Sequence, residues 1–191
     1  DYTVQIADLT KAENDLTTII SDLANEMLTR FQTSFDTINM NFGRVFKELF
    51  GGGSATLELV PSESGNELEA GVDIKVEPPG KKLQSITLLS GGEKALTAIA
   101  ILFAILKLRP MPFVLLDEIE AALDDANVGR FAKYLQNFSG ETQFIVITHR
   151  KPTMELADNL YGVTMPEKGV SKVVSVKLSE AIAVDKQSAN A

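Results

Sequence analysis

"FVLLDE" (Phe113–Glu118) and "FIVITH" (Phe144–His149) decide the fold. Both begin as short, wholly apolar runs, the pattern of strands covered on both faces in a parallel sheet. Between them, Asp125 to about Phe138 reads as a helix closed by Ser139-Gly140, which completes one right-handed β-α-β unit. Ligands of such sheets sit beyond the carboxyl ends of the strands, so Asp117, Glu118 and His149 are expected to face one crevice. Acidic residues directly after a buried apolar run are costly to desolvate unless they meet a metal, a cation or backbone donors. An Asp so placed commonly orders Mg²⁺ around nucleotide phosphates, and a neighbouring carboxylate can orient or deprotonate an attacking water. The plainer alternative has Asp117 capping the following turn and Glu118 solvated. His149, the only histidine, would by itself be an ordinary hydrogen-bonded loop residue, and Asp124 in "EAALDD" reads first as the N-cap of the next helix.

Upstream, "LLSGGEKALTA" (Leu88–Ala98) satisfies the capping-box pattern, with Ser90 as N-cap and Glu93 three residues later. Gly91 and Gly92 also free backbone N–H groups to approach an anion at the positive end of the helix dipole. The helix that follows, about Gly92 to Leu108, is apolar on nearly every side and is expected to lie between layers. Its longest apolar run, Ala98–Leu106, is far shorter than the roughly 20 residues that span a bilayer.

From Ile6 to about Leu49 there is no proline, and Leu9, Leu16 and Leu23 recur every seventh residue. The stripe fits either the end of a coiled coil or a plain amphipathic helix. It fails at Glu26, after which Met27, Phe31, Phe35, Ile38, Phe42, Phe46 and Leu49 continue at helical spacing, as on a helix docking against a core. Gly51-Gly52-Gly53 stops this helix. Ala55–Val60 and Val72–Val76 then alternate as an antiparallel pair. Beyond His149 we expect a short helix near Thr153–Asp158, a hairpin of Leu160–Met165 with Val170–Leu178, and a disordered tail past Glu180. The expected divisions are 1–50, coil end and neck helix; 51–179, the globular lobe; and 180–191, the tail.

With 191 residues, 45% apolar and 23% charged, the composition is that of a globular protein with one sizeable core. A net charge of −8 argues against a general polyanion-binding surface. The absence of cysteine removes disulfides and thiolate metal sites and, with no secretory pattern at Asp1-Tyr2-Thr3-Val4, gives the expectation of a cytoplasmic protein. No GxxxxGK[ST] phosphate loop occurs, since Gly80-Lys81-Lys82 lacks both the following Ser or Thr and the preceding glycine.

The order of these motifs, running from "LLSGGEKALTAIAILFAILKLRPMPFVLLDEIEAALDDANVGRFAKYL" to "TQFIVITHRKPTMELAD", resembles the C-terminal half of the ATPase head of a structural maintenance of chromosomes (SMC) protein, of the bacterial or archaeal condensin kind. The resemblance extends to "FGGGSATLEL" and "PPGKKLQ" and covers nearly the whole chain. It implies an α/β fold: an ABC-ATPase-like head lobe with a parallel sheet flanked by helices, an antiparallel strand pair and an N-terminal coiled-coil or neck helix. By resemblance, Ser90, Gly91 and Gly92 match the ABC signature motif, and Phe113–Asp117 the Walker B strand with Asp117 toward Mg²⁺. Glu118 matches the residue that positions the hydrolytic water, Asp124 the D-loop and His149 the switch histidine. The implied cofactors are ATP and Mg²⁺. The implied partners are the N-terminal half of the same head, which carries the phosphate loop, a second head in a homodimer, a kleisin subunit's winged-helix domain docking on the distal face of the head, and DNA in the full, nucleoid-associated complex. Within that face our own reading places the kleisin on the terminal hairpin, Leu160 to Leu178. Two alternatives stand beside this: a related coiled-coil ABC ATPase of DNA repair, and a kleisin-binding scaffold without activity of its own.

Overall fold

The computed structural model describes residues 2–62, 67–140 and 142–177; the expected tail, 180–191, and Leu178 lie outside them. A single helix, α1 (Tyr2–Phe50), opens the chain. Its amino-terminal half presents Leu9, Leu16, Ile19 and Leu23 to solvent, while Phe42, Val45, Phe46 and Leu49 are completely buried. The change from heptad stripe to core stripe is therefore a change from a projecting helix to a docked one. Phe46 and Phe50 stack with ring centroids 4.0 Å apart, and Phe42 meets Phe46 edge-on at 6.1 Å.

Three strands follow, β1 (Ser54–Val60), β2 (Gly71–Glu77) and the short β3 (Gln84–Ser85), in an antiparallel sheet of order β1-β2-β3. The β1–β2 register pairs Leu57 with Ile74 and Ala55 with Val76. Asn39 of α1 closes the outer edge of β1: its Oδ1 accepts from Leu57 N at 2.8 Å and its Nδ2 donates to Leu57 O at 3.1 Å. Both backbone groups of Leu57 on the otherwise unpaired strand edge are thus satisfied by one amide side chain, which also ties the helix to the sheet. Gly53 enters β1 at φ 79, where a Cβ would lie 2.2 Å from the carbonyl oxygen of Glu77, so only glycine fits there.

The second half holds α2 (Gly91–Leu108), β4 (Phe113–Asp117), α3 (Asp125–Phe138), β5 (Gln143–Ile147), α4 (Lys151–Glu155), β6 (Asn159–Glu167) and β7 (Val170–Lys177). Strands β4 and β5 pair in parallel, Leu115 opposite Ile145 and Asp117 opposite Ile147. Phe103 of α2 is the hub beneath them, touching the rings of Phe131, Tyr134 and Phe138 on α3 and of Phe144 on β5 at centroid distances of 4.9–6.4 Å. The core is continuous across α1, α2, α3 and strands β1, β2, β4 and β5.

Four expectations need correction. The β4–β5 pair is covered on one face only: Val114, Leu116, Phe144 and Val146 point to the core, whereas Phe113 (59%), Leu115 (59%), Ile145 (47%) and Ile147 (50%) are open to solvent. Helix α2 likewise leaves Leu102 and Ile105 exposed, so its apolar circumference exceeds what this chain covers. The short helix expected near Thr153–Asp158 occupies Lys151–Glu155 instead, because Pro152, whose ring suits a first helical turn, starts it. The antiparallel pair becomes three strands with Gln84–Ser85, too short to be read as a strand from its pattern.

Candidate functional site

The chain reaches the end of β4 and turns sharply. Glu118 N donates to Ile147 O at 2.9 Å, extending the ladder one residue past the sheet. Glu118 then adopts φ 47, the left-handed region that costs a non-glycine residue about 1–3 kcal/mol. That turn brings its carboxylate to the end of the neighbouring strand, where Glu118 Oε1 lies 3.2 Å from His149 Nδ1. Both side chains are more than half exposed, so the pair faces open space. Asp117 and Glu118 at the end of β4 and His149 just beyond β5 thus lie at the carboxyl end of the same parallel pair, and of the three the structure brings Glu118 and His149 into contact.

Two short turns follow, with Ala121 N donating to Glu118 O and Leu123 N to Glu120 O, each at 3.0 Å. They deliver Asp124 to the start of α3, where its Oδ1 accepts from Asn127 N at 2.8 Å. Asp124 is therefore an N-cap, as its sequence context implies, and remains exposed.

Ser90 caps α2 through a complete capping box: Glu93 N donates to Ser90 Oγ, and Ser90 N and Oγ both donate to Glu93 Oε2, at 3.1 and 2.8 Å. Glycine serves two needs here. A Cβ on Gly91 would meet nothing in this chain, so the helix start is open above it, whereas a Cβ on Gly92 would come 3.3 Å from the carbonyl oxygen of Ala122. Gly92 therefore lets the start of α2 lie against the turn that carries Asp124. The Glu93 carboxyl is held below its ordinary range, first by the hydrogen bond from Lys81 and then, against partial desolvation, by those from Ser90.

Among the described residues no group of three or more acidic or imidazole side chains forms a ready-made metal cage. Asp117, exposed at the end of β4, has the donor chemistry of a Mg²⁺ site, since that ion is ordinarily held by one or two carboxylates together with substrate phosphates and water. The groove lined by Asn41, Glu48, Lys107, Tyr134 and Phe138 includes none of these residues.

Sequence reasoning missed three members of the site. Lys81 pairs with Glu93; Glu120 is buried beneath the turn and accepts from Thr148 and Thr153; and Arg150 Nη2 donates to Leu123 O and Asp125 Oδ1 at 3.3 and 2.6 Å. Each joins segments distant in sequence, and no local spacing marks them.

Residues 5–172 match the family described as RecF/RecN/SMC N terminal domain. Over 176 residues the chain is 60% identical to the chromosome partition protein Smc of Bacillus subtilis (strain 168), covering 92% of this chain and 15% of that protein's length. A chain solved in work on ATP-driven dimerization and DNA stimulated activation of SMC ATPases superposes with a TM-score of 0.72 at 46% identity, over 83% of this chain and 95% of that one. The Smc head domain of Pyrococcus furiosus, solved with an extended coiled coil and bound to the C-terminal domain of ScpA, superposes with a TM-score of 0.77 at 44% identity, over 91% of this chain and 43% of that one.

Proposed function

The chain belongs to the RecF/RecN/SMC N terminal domain family, and on that footing we propose that it is the carboxy-terminal half of an SMC ATPase head that hydrolyses ATP together with a half carrying the phosphate loop. The observation that carries this reading is the Glu118–His149 contact at the ends of two adjacent parallel strands. A carboxylate held there by a strained backbone can take a proton from an attacking water, and an imidazole beside it can hold a γ-phosphate oxygen. Asp117 would hold Mg²⁺, which supplies charge neutralisation on the phosphates when bound. Ser90, Gly91 and Gly92 would offer the start of α2 to the γ-phosphate of a nucleotide seated on a second head, with Asp124 at the seam between the heads. The open space above Gly91 supports that role.

Residues 51–179 would form the carboxy-terminal lobe and 1–50 the end of its coiled coil and the neck. The exposed stripe of Leu9, Leu16 and Leu23 supports a partner helix along the coil. The uncovered apolar face of β4 and β5 supports an amino-terminal half packed upon it. The β6–β7 hairpin, with Tyr161, Val163, Met165 and Val173 exposed, is the surface we assign to a kleisin winged-helix domain. In the assembled protein, ATP-driven engagement of two heads would act on chromosomal DNA in the cytoplasm.

Co-expression with an amino-terminal half carrying a phosphate loop tests this. The two chains are expected to copurify and to bind Mg-ATP, whereas this chain alone binds it negligibly, because it offers no cradle of N–H groups or lysine for the β- and γ-phosphates. Micromolar binding by the isolated chain in calorimetry would overturn the divided site.

A further inference from the structure

One carboxylate near the site has no part in the chemistry described above. Glu120 lies between Glu118 and Asp124 and is 1% exposed. Its Oε1 accepts two hydroxyl hydrogen bonds, from Thr148 Oγ1 at 2.5 Å and from Thr153 Oγ1 at 3.2 Å. Its Oε2 has no partner among the described residues. A buried carboxylate with one oxygen unpartnered is an expensive way to fill space, and an apolar side chain would serve stability better. What this carboxylate does supply is a specific link between segments.

Thr148 immediately precedes His149, and its hydroxyl, while donating to Glu120, accepts from Arg150 N at 2.9 Å. The Arg150 guanidinium reaches back across the same gap to Leu123 O and Asp125 Oδ1, on either side of Asp124. Thr153 adds the first turn of α4 to the link. The turn 118–125 and the loop 148–153 are therefore tied both beneath, through Glu120, and at the rim, through Arg150. Glu118 and Asp124 stand at the two ends of the first segment, and His149 stands in the second.

We propose that Glu120 is a positioning residue: with Thr148 and Arg150 it forms a buried latch that locks the His149 loop to the turn bearing Glu118 and Asp124, so that the three move as one body. The inference rests on the reading of Glu118 and His149 as ATPase residues only for its kinetic consequence; the latch itself is a statement about geometry. If the loop is locked, the 3.2 Å approach of His149 to Glu118 is set by the latch, because both side chains are more than half exposed and are not fixed by burial. A change at His149 on one face would also be felt at Asp124, which we place at the seam with the second head.

The test uses a head reassembled from this chain, labelled with ¹³C-histidine, and an unlabelled amino-terminal half. His149 is the only histidine in the chain, so one Cε1–H resonance reports the loop. Glu120→Ala removes the one oxygen that accepts from both hydroxyls, and Thr148→Val removes one donor at nearly constant volume. Both are expected to shift that resonance by more than its linewidth and to lower kcat about 10–100-fold, with KM for ATP kept within about twofold. Glu120→Gln, which returns an oxygen to both hydroxyls, is expected to restore the resonance and most of the rate. The double variant Glu120→Ala/Thr148→Val should lose no more than the worse single variant, since both break one latch. A His149 resonance unmoved in both Glu120→Ala and Thr148→Val overturns the latch, whatever the rates. A shifted resonance in a head where Glu118→Gln hydrolyses ATP at the wild-type rate keeps the latch and overturns the catalytic reading instead.

Discussion

The ammonium of Lys81 lies 2.8 Å from Glu93 Oε1 and 2.9 Å from Oε2, joining the loop after β2 to the first turn of α2. Glu93 also completes the capping box with Ser90, so one carboxylate links the helix cap to a distant lysine. The Gly80-Lys81-Lys82 run, which fails as a phosphate loop, thereby braces the helix start on which Ser90, Gly91 and Gly92 stand.

A pH dependence follows from this pair. The folded-state pKa of Glu93 is depressed below its ordinary value of 4.5. Its contribution to stability is therefore fully present above that value and is lost as pH falls through the lower folded value. Lys81→Met removes the largest cause of the depression. The acid-unfolding midpoint of the assembled head should then move to higher pH, while the loss at neutral pH stays within about 1 kcal/mol, as for other partly exposed pairs. Circular dichroism during acid titration measures it, and an unmoved midpoint would show that Lys81 contributes nothing to Glu93.

Leu115→Lys probes the uncovered face of β4. The side chain is solvated in the isolated chain, so the substitution should leave its fold intact. If an amino-terminal half covers this face, the ammonium must be buried without a partner, a cost of several kcal/mol. Association of the two halves should weaken by about 100-fold or more. Undiminished copurification would place the seam elsewhere.

Much of this architecture was legible in the sequence. Period-two apolar patterning located β1 and β2, the run of phenylalanines marked where α1 docks, and Ser90 and Asp124 marked the starts of α2 and α3. Apolar runs ending in Asp117-Glu118 and at His149 marked the parallel pair and brought Glu118 and His149 to the same sheet end, because parallel strands bring their carboxyl ends together regardless of the sequence between them. The open face of β4 and β5 was not legible. A strand reads as wholly apolar whether its cover comes from its own chain or from another. Glu120, Lys81, Arg150 and Asn39 were hidden for a different reason: each satisfies a backbone or side-chain group more than ten residues away, and such pairing leaves no periodicity.

Ser90→Arg separates the capping role of Ser90 from the nucleotide contact proposed for it. A long cation at the start of α2 would project into the space above Gly91 and hinder approach of an opposing nucleotide. In the assembled head it should abolish ATP-driven dimerisation while leaving ATP binding to that head's own phosphate loop unchanged. Analytical ultracentrifugation with ATP reads the first, calorimetry the second. Dimerisation that survives with normal hydrolysis would leave Ser90 with its capping role alone.

The central claim is that Glu118 is the group that activates water, and the phosphate-release rate of Glu118→Gln in the assembled head tests it most directly. Glutamine keeps the size of the side chain and can still meet His149, and it leaves Asp117 in place, but it has no charge with which to draw a proton from water. Loss of one positioned general base costs about 10²–10⁴-fold in rate, and ATP binding should persist. Turnover reduced by that factor in a head that still binds ATP is the predicted result. Phosphate release at the wild-type rate would contradict it and leave Glu118 a strained, exposed carboxylate beside His149 with no part in catalysis.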